Sequence, residues 1–112
     1  MDEVRQSTLS PEEAATQTIN FLRQHTCKEG FLLTGNTVWQ DRVFLAKYIP
    51  RILDYLHYRV IDVSSIKELV RHWYPNHPYA IFDKPEYHRT LADILASIDE
   101  LRYYRKHFFI EL

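Results

Sequence analysis

The sequence predicts an α/β fold, and three observations carry that prediction. Two short segments, Phe31–Thr34 and Tyr58–Val63, have the apolar, aromatic and β-branched make-up of strands. The stretches between and after them carry helix start and stop signals. Strand, helix, strand, helix in that order implies a right-handed parallel crossover.

The first helix is signed by Ser10-Pro11-Glu12-Glu13. This is a capping serine, a proline at the first helical position and a glutamate at the third. It is expected to run to about His25, burying Ala15, Ile19 and Leu22. Gly30 and Gly35 bracket the first strand. A helix from Val38 to Tyr48 should be stopped by Pro50, with a shorter one around Ile52–Leu56. After the second strand, Ser65-Ile66-Lys67-Glu68 reads as another capping box that opens a helix to about Trp73. The proline-rich stretch Pro75–Tyr87 should be a loop. In the last helix Leu91, Ile94, Leu95, Ile98 and Leu101 share one sector, expected to face the core, with Asp99, Glu100 and Tyr103 outside it.

Composition narrows the function classes. With 46% hydrophobic and 14% aromatic residues the chain is too apolar for intrinsic disorder. Its 112 residues suit one domain. No apolar run approaches the roughly 18 residues of a membrane span, so no membrane partner is expected. Met1-Asp2-Glu3-Val4-Arg5 lacks the apolar region of a signal peptide. A single cysteine, Cys27, excludes an internal disulfide and fits an intracellular setting, cytoplasmic or mitochondrial. The net charge of −1 offers no global basic field. Residues 42–72 are nevertheless basic, with Arg42, Lys47, Arg51, Arg59, Lys67 and Arg71 against Asp54, Asp62 and Glu68. Solvated helix faces account for that excess.

Two carboxylates stand out by position. Asp41 falls one helical turn past the end of a parallel strand, the edge of an open α/β sheet where ligands collect. Asp93 lies early in the last helix, off its apolar sector and five residues after His88. At that spacing the two side chains point about 140° apart, too divergent to bond each other but able to flank one site. Two other arrangements carry less. The histidine and cysteine pairs (His72 with His77, His25 with Cys27) never reach a four-ligand zinc constellation. Trp39, Trp73 and the eight tyrosines fall mostly at core or dimer-surface spacings, against their use as a base-stacking platform.

Three ordered motifs raise a resemblance. Gly35-Asn36-Thr37-Val38-Trp39-Gln40-Asp41-Arg42-Val43-Phe44 resembles the second exonuclease motif of the oligoribonucleases. His57-Tyr58-Arg59-Val60-Ile61-Asp62-Val63-Ser64-Ser65 resembles that family's next signature, and His88-Arg89-Thr90-Leu91-Ala92-Asp93 its third motif. The likeness runs from about Val4 to the C-terminus.

The resemblance implies a ribonuclease H-like fold and 3′-to-5′ degradation of short single-stranded RNA, dinucleotides included, to 5′-mononucleotides by a homodimer. Asp41 and Asp93 would bind Mg²⁺ or Mn²⁺ in a two-metal site, and His88 would be the general base toward the attacking water. Tyr58 and Arg59 would reach across the dimer to cap the partner's substrate. Thr37 and Ser64 would lie near its 5′ phosphate, and Asn36 would also bind substrate. Arginine and hydroxyl groups read a phosphate while ignoring base identity, which suits a substrate class defined by length.

The resemblance is incomplete at its start. The family's first motif, Asp-x-Glu, occurs nowhere in this sequence. Met1–Thr8 already resembles a segment beyond the family's first three strands. The expectation is therefore a single truncated exonuclease domain over 1–112, with two of four metal carboxylates missing and no catalysis alone. The alternative is a catalytically dead partner that dimerises with a full-length oligoribonuclease.

Overall fold

A computed structural model of the chain describes residues 9–83 and 90–111. Their elements, in order, are α1 (Pro11–Arg23), β1 (Leu32–Gly35), α2 (Val38–Tyr48), α3 (Pro50–Tyr55), β2 (His57–Asp62), α4 (Val63–Trp73) and α5 (Thr90–Phe108). The two strands pair in parallel. The α/β class read from the sequence is the class observed. The described residues fall into two compact units, one ending at Leu33 and resuming over Gln40–Val60, the other made of Thr34–Trp39 and the residues from Ile61 onward.

In the first unit, α1 starts as its sequence dictates. Pro11 takes an early position that needs no N–H, and the Ser10 hydroxyl accepts the Glu13 N–H at 3.1 Å. Ala15 is buried with Ile52 and Leu56, and Leu22, Leu33, Leu45 and Ile49 close around them. Pro50 ends α2 and then opens α3, where its fixed φ is already helical. The Tyr55 hydroxyl donates to the Thr26 carbonyl at 2.8 Å, which ties α3 to the turn before β1. Glycine is needed in that turn, because a Cβ on Gly30 would stand 2.9 Å from the Cys27 carbonyl oxygen.

The second unit is organised by α4 packed on α5. Val63, Val70, Ala80 and Tyr104 form its core, with Ile66, Phe82, Leu101, Tyr103 and Phe108 packed against them. Tyr74–Asp83 contains neither helix nor strand, as expected, and the remainder of that predicted loop lies outside the described residues.

Two expectations are corrected here. The helix expected to open at Ser65 begins at Val63, and Asp62 is its cap, accepting the Ser64 N–H. A carboxylate at the strand's last residue satisfies the first amides at once, so β2 passes into α4 without a loop. The sector of α5 expected to be core is largely exposed: Leu91 is 68% accessible and Ile98 42%, with Ile94 and Leu95 between. The face that α5 buries is Ala96, Glu100 and Tyr104, at successive intervals of four. Ala96 is small enough for close approach, and Glu100 and Tyr104 satisfy each other's polar atoms, so a charged residue outcompetes a leucine stripe for the interior.

Candidate functional site

The turn from β1 into α2 is held by side chains from three other segments. Thr37 has a φ of 51°, in the left-handed region that a β-branched residue enters only under constraint. The constraint is visible. The Thr37 N–H donates to Asp62 Oδ1 at 2.9 Å and to Ser64 Oγ at 3.0 Å, and the Val38 N–H donates to Asp62 Oδ2 at 3.2 Å. Asp62 Oδ1 also accepts the Ser64 N–H at 3.0 Å. One carboxylate therefore caps the beginnings of both α2 and α4.

Asn36 completes the frame. Its Nδ2 donates to Ser64 Oγ at 3.2 Å and to Glu100 Oε1 at 3.1 Å. Glu100 is only 3% accessible, and its Oε2 accepts the Tyr104 hydroxyl at 2.8 Å. Burial, then the hydrogen bond and charge of Glu100, raise the Tyr104 phenol above the ordinary tyrosine value, against an opposing pull from Arg71. The Ser64 oxygen accepts from Asn36 and shares the Thr37 N–H with Asp62. It also lies 3.3 Å from Thr37 Oγ1, a contact across which either hydroxyl can donate.

The structure thus brings Asn36, Thr37 and Ser64 together, three of the residues marked from the sequence. Tyr58 and Arg59 form a second group, in the other unit, at the start of β2. Arg59 Nε donates to Tyr58 Oη at 3.1 Å, and its guanidinium carbon lies 5.5 Å from the centre of the Tyr58 ring. Tyr58 is 66% accessible. Arg42 Nη1 donates to the Tyr58 carbonyl at 3.3 Å.

Asp41 is exposed in the first turn of α2, and Asp93 is exposed in the first turn of α5. Both positions favour an anion, because a helix start carries partial positive charge. They belong to different units. His88 lies outside the described residues. Among the described residues, no three His, Cys, Asp or Glu side chains gather as a metal would require. Asp41 and Asp93 are hard oxygen donors of the right kind, but as a set they are too few for a hard divalent cation.

Sequence reasoning missed Asp62, Glu100 and Tyr104. Asp62 was legible as an N-cap candidate at the end of an apolar run, but the Ser-x-x-Glu pattern at Ser65 competed with it. Glu100 and Tyr104 fall in an ending, Glu100–Arg105, that resembles that of the oligoribonucleases, but the leucine sector beside them gave the stronger periodicity.

The sequence matches, over residues 2–101, the family described as Exonuclease. Among curated proteins it is 46% identical over 110 residues to the oligoribonuclease of Dichelobacter nodosus, covering 98% of this chain and 59% of that protein. It is 49% identical to those of Rhodococcus jostii, covering 97% of this chain and 55% of the relative, and Shewanella loihica, covering 97% and 60%. The chain therefore spans little more than half the length of these relatives.

Proposed function

The chain belongs to the exonuclease family, and from that premise we propose that it is the site-bearing part of an oligoribonuclease, a 3′-to-5′ exoribonuclease that releases 5′-mononucleotides from RNA of a few nucleotides. The observation that carries this reading is the 46–49% identity to the three oligoribonucleases over nearly all of this chain. We take both compact units as parts of one exonuclease domain within 1–112, acting inside the cell as a homodimer.

Each residue has a chemical task in this reading. Asn36, Thr37 and Ser64 hold the terminal phosphate side of the substrate, with the Thr37 and Ser64 hydroxyls as the groups that meet it. Arg59 supplies charge and a planar donor fork to phosphate oxygens. Tyr58 supplies an exposed ring and hydroxyl beside it. His88 takes the attacking water's proton, which a neutral imidazole does near pH 7. Asp41 and Asp93 contribute oxygens to a Mg²⁺ or Mn²⁺ ligand set. Divalent ions of this kind stabilise charge on a reacting phosphodiester. A hard cation takes about six oxygens, so these two carboxylates are a share of the set.

The test is turnover of a 5′-labelled RNA dinucleotide by the purified chain with Mn²⁺, with EDTA, and in an Asp93→Asn variant. Metal-dependent cleavage lost in the variant supports the reading and means that the ligand set is completed by further groups or by self-association. Cleavage that persists in Asp93→Asn removes the metal role of Asp93. A folded chain that neither cleaves nor binds the dinucleotide, but captures a full-length oligoribonuclease, replaces the reading with that of a non-catalytic partner.

A further inference from the structure

The strand that presents Tyr58 and Arg59 does not begin regularly. Neighbouring side chains on a strand point to opposite faces. The rings of His57 and Tyr58 instead stack, with centroids 4.6 Å apart and planes 24° from parallel. His57 Nδ1 accepts the Arg59 backbone N–H at 3.1 Å, so an amide available to a sheet ladder is spent on a side chain two residues back. The His57 backbone is fixed as well, its own N–H donating to the Phe31 carbonyl at 2.9 Å. Arg42, one residue after Asp41, holds the Tyr58 carbonyl.

An imidazole nitrogen that accepts an amide N–H carries no proton, which puts the ring proton of His57 on Nε2. We infer that His57 is a positioning residue for phosphate capture: its ring anchors the Arg59 backbone and packs the Tyr58 ring, so that both side chains meet a terminal phosphate in one arrangement. This rests on the capture role proposed for Tyr58 and Arg59.

Two measurements test the inference. In the free chain at pH about 8, long-range nitrogen–proton NMR correlations should show His57 protonated at Nε2 and bare at Nδ1. A ring protonated at Nδ1 overturns the inference whatever the protein binds.

The second is affinity for a 5′-phosphorylated RNA dinucleotide in EDTA. His57→Ala should weaken it about tenfold, the worth of one hydrogen bond in the arrangement. His57→Asn, whose Oδ1 can accept the same amide, should restore most of the loss. Affinity lost in Arg59→Ala but kept in His57→Ala removes the role of His57 alone. Affinity kept in Arg59→Ala removes the capture reading, and the positioning role with it.

Discussion

Asp62 accepts the Thr37 backbone N–H at 2.9 Å, joining the last residue of β2 to the turn that leaves β1. With its bonds to the Val38 and Ser64 amides, this one carboxylate anchors two helix starts. Both open within a residue of the end of a strand or turn, where no loop is available to satisfy first-turn amides. Fixing them with a single side chain couples the position of Thr37 to that of Ser64, the pair that flanks the proposed phosphate position.

Asp62→Ala should therefore cost about 2–4 kcal/mol, the sum of two lost caps, read from urea unfolding. Asp62→Asn should cost about 1 kcal/mol, because Oδ1 survives as an acceptor while the Oδ2 position becomes a donor facing the Val38 N–H. Amide exchange localises the effect. It should accelerate at Thr37, Val38 and Ser64 in Asp62→Ala, and unchanged protection at those three amides would show that the carboxylate is not their anchor.

The buried Glu100–Tyr104 pair makes stability depend on alkaline pH. The Tyr104 phenol is raised above its ordinary value of about 10, chiefly by burial and then by Glu100. Above pH about 10 the unfolded chain releases this proton while the folded chain keeps it, so ΔG of unfolding falls as pH rises. The contribution is fully present below pH about 10. Tyr104→Phe should flatten that alkaline decline. At neutral pH it should also destabilise by about 1–3 kcal/mol, because a buried carboxylate oxygen loses its donor. Equal alkaline slopes for wild type and Tyr104→Phe in thermal melts would contradict the assignment.

The lesson for sequence reading lies in which signals were local. The Ser10 cap, the Pro50 break and the strand positions within one residue follow from side chains acting on their own backbone, so they were legible. Asn36, Thr37 and Ser64 were legible as a group only through likeness to the oligoribonucleases, since positions 28 residues apart announce nothing by spacing. Asp62 and Glu100 are long-range by nature. Their partners are amides and an amide side chain up to 64 positions away, and only the folded chain reveals them.

The exposed sector of α5 gives a test that separates periodicity from burial. Ile94→Lys or Leu95→Lys should change the stability of this chain by no more than about 0.5 kcal/mol, as surface substitutions do. Ala96→Leu, on the face that is actually packed, should cost about 1–3 kcal/mol through overpacking. The lysine variants should also be less prone to concentration-dependent association in sedimentation, because an apolar patch is interrupted. A loss of several kcal/mol in Ile94→Lys would restore the leucine sector to the core.

Thr37 sets stability against its proposed part in capture. A β-branched residue in the left-handed region stores about 1–2 kcal/mol, while glycine there is unstrained but loses about 0.5–1 kcal/mol more backbone entropy on folding. Thr37→Gly should therefore be slightly more stable than wild type, by about 0.5–1 kcal/mol. It also deletes the hydroxyl proposed to meet the terminal phosphate, so affinity for a 5′-phosphorylated dinucleotide should drop while affinity for the 5′-hydroxyl analogue stays level. Thr37→Ser retains the hydroxyl without the β-branch and should keep both stability and capture. A Thr37→Gly protein that is less stable and binds both dinucleotides as before would mean that neither the strain nor the hydroxyl has the role given to it here.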